Sequence, residues 1–501
     1  MRVTNQMVTS GSLRNMQKSM QRVDQLNNQV TTGKKIAAPS EDPVIAIRAL
    51  KLRTTVDQLD QFKNKNIKDA MSWLDTTQTS IQNVYDRLQD VYYYCEQGAQ
   101  DTFQTKDRNT IVQELQELKD AIYREGSTTY AGRYLFSGYK TETNLIFQDE
   151  AAKKGLAYEI SEDISPEKFE TKSVVINEVD DSKLEDIANG TEEFTKPEST
   201  TVHTIRLAYD NLDDNKISVF VKNPGDENGQ GYNPTIRKIE DRENYYKVQP
   251  GEINYIPETG ELVFGDTIYN EVRGAETISV KYNKSEFEVG DLRPEMYFNC
   301  KQTKTLDDGT TKETEFTMSE EGQQIKYEVN FSQYITVNAQ GKDFILHDMG
   351  NKIDDLTRSV QAVLDIEDTI TKLKGMLESP TYKNDSTKVT RINKMLESAD
   401  VELAQKRENM QKLFGNNMTN FQNFMEDVSA VQAKVGTTYS KLELIETRVT
   451  EQLANFKELK SSNEDVETEE AAINMYQSEL VYESALATTS SVIKKTLLDY
   501  I

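Results

Sequence analysis

The chain has 501 residues, with 84 Asp and Glu against 59 Lys and Arg, a formal net charge of −25. That balance repels phosphate backbones and argues against general nucleic-acid binding. Two cysteines, Cys95 and Cys300, and two histidines, His203 and His347, exclude a disulfide framework or thiolate zinc site and leave little for acid–base or metal chemistry.

Met1-Arg2-Val3-Thr4-Asn5-Gln6-Met7 leads into no apolar stretch of the ~7–15 residues a cleaved secretory signal needs. No run approaches the ~18–20 apolar residues of a membrane span, so membrane insertion is not expected. The first fifty residues are mildly basic, with seven Lys and Arg and three Asp and Glu, so the acidity lies further on. Leu13, Met16, Met20, Val23 and Val30 recur at helical spacing and predict an amphipathic helix. Lys34-Lys35-Ile36 and the segment Pro39-Ser40-Glu41-Asp42-Pro43 interrupt it. Residues before proline avoid the helical region, so a short extended stretch is expected there, with Ser40 or Asp42 capping a helix that starts at Pro43.

Ala70, Leu74, Ile81, Val84, Leu88, Val91 and Cys95 keep a heptad-like stripe, and Ile111, Leu115, Leu118 and Ile122 a shorter one. Gly132-Arg133-Tyr134-Leu135-Phe136-Ser137-Gly138-Tyr139 follows as a glycine-punctuated turn. Residues 146–346 change character. Short apolar runs such as 204–209, 217–221, 261–264, 278–282, 328–331 and 334–337 alternate with turn formers, which predicts one or two antiparallel β domains. A helical pattern returns at Ile353, Leu356, Val360, Val363, Ile366 and Ile370. No proline follows Pro380, so the end of the chain is free to be helical.

Leu442, Ile445, Val449, Phe456, Leu459, Val466, Ile473 and Leu480 form one seam there, and Met475, Tyr482, Leu486, Ile493, Leu497 and Tyr500 a second, offset one. Asn463 and Glu470 stand in the seam, where polar residues cost stability and can fix register. A helix from Thr437 to Ile501 would reach ~100 Å. A single amphipathic helix cannot bury its own stripe, so the N- and C-terminal regions are expected to pack together. The predicted fold is α+β: a long antiparallel coiled-coil rod with an inserted antiparallel β-rich domain. Its parts are an N-terminal helix (1–42) paired with a C-terminal one (460–501), two halves of a rod (43–145 and 347–459) and the insertion (146–346).

No catalytic constellation emerges. Neither histidine stands in an HExxH motif, and no phosphate loop or GxSxG elbow occurs. Asp213-Asp214-Asn215 and Asp307-Asp308-Gly309 lack the spacing of a calcium loop and read as turns. Cys95 continues a seam and reads as a buried thiol, and Tyr92-Tyr93-Tyr94 as packing. No metal, cofactor or catalytic residue is expected. The unsatisfied apolar stripes at both ends point instead to association.

Three segments carry a resemblance. Gly33-Lys34-Lys35-Ile36-Ala37-Ala38-Pro39-Ser40-Glu41-Asp42-Pro43 is similar to a Gly-Lys-Arg-Ile, Pro-Ser-Asp-Asp-Pro pattern, with Glu41 where Asp is usual. Gly132 to Thr141 is similar to a Gly-Arg-Tyr-Phe-Gly-Tyr segment, and Leu497-Leu498-Asp499-Tyr500-Ile501 to a Ser-Leu-Leu-Asp-Tyr-Leu ending. Together these resemble the flagellin-like axial proteins, and among them the hook–filament junction branch. The resemblance implies a non-enzymatic structural subunit of the extracellular bacterial flagellum, built by coiled-coil packing. It implies assembly with copies of itself as a ring, with hook-associated protein 1 and with flagellin. It also implies an export chaperone on the C-terminal helix and passage through the flagellar type III export apparatus without a cleaved signal. Lys34, Ile36, Pro39, Ser40, Asp42 and Pro43 would connect the inner helix to the rod. Gly132, Arg133, Tyr134, Phe136, Gly138 and Tyr139 would form the rod motif. Alternatives are a filament subunit, an axial protein with an adhesive or enzymatic insertion, or a type III secretion tip protein. Because ordering the outer ends, about 1–42 and 460–501, costs more than one partner helix returns, they are expected to be disordered in the free subunit.

Overall fold

The computed structural model describes residues 5–100, 105–214, 217–225, 229–241, 245–306, 308–318 and 321–493. Helices α1 (Asn5–Thr32), α2 (Pro43–Gln61), α3 (Lys68–Gly98) and α4 (Thr105–Glu125) open the chain, and a π-helical turn, Phe62–Ile67, joins α2 to α3. A hairpin of β1 (Thr129–Tyr130) and β2 (Arg133–Tyr134) follows, then α5 (Glu150–Lys153), β3 (Leu156–Ile164), β4 (Glu170–Ile176) and α6 (Leu184–Asn189). Next come β5 (Glu198–Arg206), β6 (Ser218–Lys222), β7 (Gln230–Tyr232), β8 (Thr235–Ile236), β9 (Ile253–Ile256), β10 (Glu261–Phe264) and α7 (Asp266–Val272). The series closes with β11 (Thr277–Lys284), β12 (Asn299–Thr305), β13 (Thr311–Phe316), β14 (Lys326–Asn330) and β15 (Gln333–Thr336). Helices α8 (His347–Glu378), α9 (Pro380–Lys383), α10 (Ser386–Glu464) and α11 (Thr468–Ile493) complete the described chain. The fold is α+β, with long helices toward both ends and an antiparallel β region between them, as the proline spacing predicts. Among the described residues no helix is long and apolar enough to cross a membrane.

Two sheets share one core. The first has strand order β4-β5-β10-β9-β8, the second β13-β12-β3-β11-β6-β7. Strand β3 shows why: every second residue from Leu156 is buried, the period of a sheet with one face on a core. Ile160, Val219, Val280 and Tyr282 of the second sheet meet Ile205, Tyr255, Leu262 and Phe264 of the first in one continuous apolar cluster. The first sheet is covered on its other face too, where Val174, Val202, Ile256 and Val263 pack with Tyr245 and Tyr246. This explains the uniformly buried β9 and β10. Within these two sheets pairing is antiparallel except between β8 and β9. Strands β12 and β13 are not among the apolar runs that the sequence singles out. They are strands because β12 adds to the edge of β3, pairing Cys300 with Ile160, and β13 follows it.

The chain divides into two compact units, one of Met1–Met71, Tyr327–Ile335 and Ser440–Ile501, the other of Ser72–Lys326 and Thr336–Tyr439. The second holds the sandwich and a helical core. There the predicted stripes of α3 (Leu74, Ile81, Val84, Leu88, Val91, Cys95) and α8 (Ile353, Leu356, Val360, Val363, Ile366, Ile370) are buried. Salt bridges Lys119–Asp354 (2.7 Å) and Arg108–Glu367 (2.9 Å) tie α4 to α8. In the first unit, α2 buries Ala46, Ala49, Val56 and Leu59, and the last part of α10 buries Leu442, Ile445, Val449 and Leu453. The β14–β15 hairpin belongs to this unit, with Phe331 edge-on to Phe62 (5.4 Å) and the Glu328 carbonyl accepting from Asn66 Nδ2 (2.8 Å).

One expectation is overturned. The C-terminal seam does not run unbroken from Thr437: α10 ends at Glu464 and α11 begins at Thr468. The apolar period continues through Val466 and hides the break. The cause is backbone pairing with the segment after α1, where the Glu464 carbonyl accepts from Lys35 N (2.7 Å) and the Gly33 carbonyl from Val466 N (3.0 Å). Leu459, expected in the seam, is exposed.

Candidate assembly interface

The groups that could have carried chemistry are put to structural use. His347, at the start of α8, is buried against Tyr209 and Tyr297, and burial lowers its pKa to about 3. His203 stacks on Tyr269 at 3.6 Å. Burial pushes the Cys95 and Cys300 thiols up to about 12, which withholds the thiolate a nucleophile needs. Asp308 accepts from Thr310 two residues on, as a turn residue does, and Asp213 accepts from the distant Ser285; Asn215 and Asp307 lie outside the described residues. Among the described residues, no cluster of three His, Cys, Asp or Glu could hold a metal. In the tyrosine triplet, Tyr93 is exposed and its two neighbours half-buried.

The Lys34–Pro43 segment forms a strap in the first unit. Helix α1 ends where Gly33 turns to φ +68, a left-handed geometry that a side chain would strain. Lys34 then pairs with Asp465 as an isolated antiparallel bridge, and its Nζ donates to Asp465 Oδ1 (2.5 Å). Glu464, almost fully buried, accepts both arms of Arg53 (2.7 and 2.7 Å) and lies 3.6 Å from Lys34 Nζ. Hydrogen bonds from Arg53 and Lys34 hold the Glu464 and Asp465 carboxyls below the usual carboxylate range. Gln29 Nε2 donates to the Lys35 carbonyl (2.7 Å), and Asn463 Nδ2 to the Ile45 carbonyl (3.2 Å). The stretch between the prolines is a turn rather than extended, because Glu41 N donates to the Ala38 carbonyl (3.0 Å), with Pro39 and Ser40 between them. Asp42 is the N-cap of α2, accepting from Val44 N (2.9 Å) and Ile45 N (3.1 Å) ahead of Pro43, and Ser40 is not. Ile36 is half-buried beside this strap.

Helices α1 and α11 pair along one face each. On α1 the covered side runs through Thr9, Ser12, Met16, Ser19, Val23, Leu26 and Val30. On α11 it runs through Ala471, Met475, Ser478, Tyr482, Ala485 and Thr489. Both alternate spacings of three and four, the coiled-coil period. Met16, Val23, Val30, Met475 and Tyr482 of the predicted stripes therefore face the partner helix. Leu13, Met20, Ile473, Leu480 and Leu486 do not, and are exposed. Hydrophobicity alone missed Thr9, Ser12, Ser19, Ala471, Ser478, Ala485 and Thr489 because these side chains are small; their heptad spacing was the available signal. Ile493 ends α11 with its side chain outside the described residues, as are Leu497 and Tyr500. The described parts of the outer ends are helical over Asn5–Thr32 and Thr468–Ile493, and these helices pair with each other.

Helix α11 consequently has a second apolar face. Ile473 (58%), Tyr476 (74%) and Leu480 (66%) stay exposed on the side away from α1. The stripe follows the i, i+3, i+7 spacing of a helix face that expects a partner.

The Gly132–Tyr139 motif lies in the second unit. Ala131 (φ 50) and Gly132 (φ 76) make the left-handed two-residue turn of the β1–β2 hairpin. Arg133 lies over the Trp73 ring (5.6 Å), Phe136 is buried edge-on to Phe344 (4.8 Å), and the Tyr134 hydroxyl reaches Gln148 (3.3 Å). Gly138 is left-handed (φ +64), and a Cβ there would lie 2.0 Å from Gln323 Oε1. Tyr139 is exposed, and its backbone N–H donates to that same oxygen (3.3 Å).

Residues 3–141 match the family model of the bacterial flagellin N-terminal helical region. The chain is 28% identical over 196 residues to flagellar hook-associated protein 3 of Escherichia coli K12, covering 38% of this chain and 58% of that protein. It is 30% identical over 149 residues to flagellar hook-associated protein 3 of Salmonella typhimurium, covering 28% and 45%. The match thus spans about half the length of these relatives. A solved flagellar hook-associated protein-3 from Legionella pneumophila aligns over 82% of this chain and 97% of that one, at 11% identity and a TM-score of 0.31.

Proposed function

From the match of residues 3–141 to the flagellin N-terminal helical region, we propose that the chain belongs to the flagellin-like family and is a structural subunit of the bacterial flagellum at the hook–filament junction. It assembles with copies of itself as a ring and joins hook-associated protein 1 on the hook side to flagellin on the filament side. The observation that carries this reading is the two-faced α11: one side engages α1, and the other offers an apolar stripe that a single chain leaves in water. Burying Ile473, Tyr476 and Leu480 at ~1.5–3 kcal/mol each supplies at most about 9 kcal/mol per subunit. No step of the reading calls for turnover.

The same stripe is a liability before assembly, so an export chaperone covers α11 in the cytoplasm. Export runs through the flagellar type III apparatus without cleavage of a signal, and the mature subunit is extracellular. The test is a clean deletion of the gene followed by electron microscopy. Hooks should persist while flagellin is lost to the medium; full filaments on that strain would refute the reading. The match to the flagellin N-terminal region favours one other reading, a filament subunit. Copy number separates the two: one short ring at the hook tip, or a large excess along the filament.

A further inference from the structure

We infer that the exposed face of α2 in one copy docks on the outer face of α11 in a second copy. This deepens the self-assembly reading above and rests on it. Helix α2 is two-faced as well. Ala46, Ala49, Val56 and Leu59 are buried, while Val44 (68%), Ile47 (58%) and Leu50 (63%) are exposed along one side. An exposed apolar stripe of this kind on a short helix marks an interaction surface.

Charge selects the occupant. Arg48 and Lys51 share the exposed side of α2, and no Asp or Glu occurs from Pro43 to Val56. Helix α11 is the complement. Glu469 and Glu483 flank Ile473, Tyr476 and Leu480 on the same exposed side, and Thr468–Ile493 contains no Lys or Arg. None of these four charges has an ion-pair partner among the described residues, in contrast to Arg53, which Glu464 occupies. Apolar stripe meets apolar stripe with basic residues opposite acidic ones, the complementarity that sets register and rejects other pairings. The α11 of the same chain does not serve: its inner side is taken by α1, and both exposed stripes stay uncovered within the one chain. The two patches differ, so the contact is heterologous, and repetition of a heterologous contact closes a ring or extends a helix.

Cysteine cross-linking of the full-length chain tests the pairing. Cys95 and Cys300 are buried and leave the added thiols as the accessible ones. Ile47→Cys protein and Tyr476→Cys protein, mixed and brought to self-associate in ammonium sulfate, should form a mixed disulfide dimer. A chain carrying both substitutions should give a ladder of covalent multimers. Self-association without any mixed dimer overturns the pairing and leaves the ring reading intact. A single dimer band from the double variant overturns the heterologous geometry. Failure of the unsubstituted chain to self-associate overturns both readings. As an independent arm, Arg48→Glu with Lys51→Glu should abolish assembly while circular dichroism stays unchanged, since all the altered side chains are exposed. Adding Glu469→Lys and Glu483→Lys should restore it; loss without restoration contradicts the assigned charge pairing.

Discussion

Glu464 concentrates three roles in one side chain. Its carbonyl ends α10 on Lys35, and its carboxylate gathers Arg53 and Lys34. Replacing it with Gln removes charge-assisted hydrogen bonds of about 1.5–3 kcal/mol each. The expected outcome is faster amide hydrogen exchange through residues 29–35 and 460–470, with the β sandwich unchanged. Its pH dependence has a definite sign. The carboxyl is depressed in the folded chain, so its stabilisation is complete above the ordinary carboxylate pKa of ~4.3 and is lost as pH falls through the folded value. The strap should therefore loosen in acid, and Glu464→Gln should flatten that response. Glu162, inside the sandwich, has the opposite sign. Burial raises it to about 7, although Tyr282 and the Ala208 amide both donate to it. The favourable protonated form is fully present below ~4.3 and is lost as pH rises through 7, a difference of about 3 kcal/mol. Thermal melts of the wild type should weaken across that window, and Glu162→Gln should remove most of the slope. None of this was legible in the sequence, where the 84 carboxylates look alike.

At the scale of elements, periodicity was readable wherever one face meets one core. The stripes of α3 and α8 came directly from spacing, and β3 and β11 carry the alternation of half-buried strands. It failed where an element has two apolar faces or barely one. Helix α11 is apolar on both sides, so the sequence suggested two seams and could not say which one α1 occupies. Strands β12 and β13 are mostly polar, with only Cys300 and Phe316 on the core, and they are strands because β12 pairs with β3 and β13 with β12. The break at 465–467 stayed hidden because Val466 keeps the apolar period. The two faces of α11 predict different mutant behaviour. Leu26→Ala empties the one fully covered large apolar position of α1 and should cost about 2–4 kcal/mol, read as lost helicity by circular dichroism. Leu480→Asp, on the outer face, should change the free chain by less than ~0.5 kcal/mol and yet block assembly in sedimentation. The α1–α11 pair, built on small side chains, should also exchange its amides well before α3 does.

At the scale of the molecule, the composition gains a location. The net charge of −25 is unevenly spread: the outer half of the α1–α11 pair contributed by α11 is acidic, while α1 and the start of α2 are basic. Opposite charge on helices that face one another, within a chain and between copies, suits a subunit whose chemistry is association. The scarce histidines and cysteines are spent on packing. The Gly132–Tyr139 motif, legible from its glycines, packs within the second unit, where Arg133 lies over Trp73 and Phe136 against Phe344. The central claim is a structural subunit confined to the hook–filament junction. Immunogold labelling of intact flagella with antibodies to the β sandwich tests it most directly. The account predicts one cluster of label at the boundary between hook and filament; label distributed along the filament would contradict it.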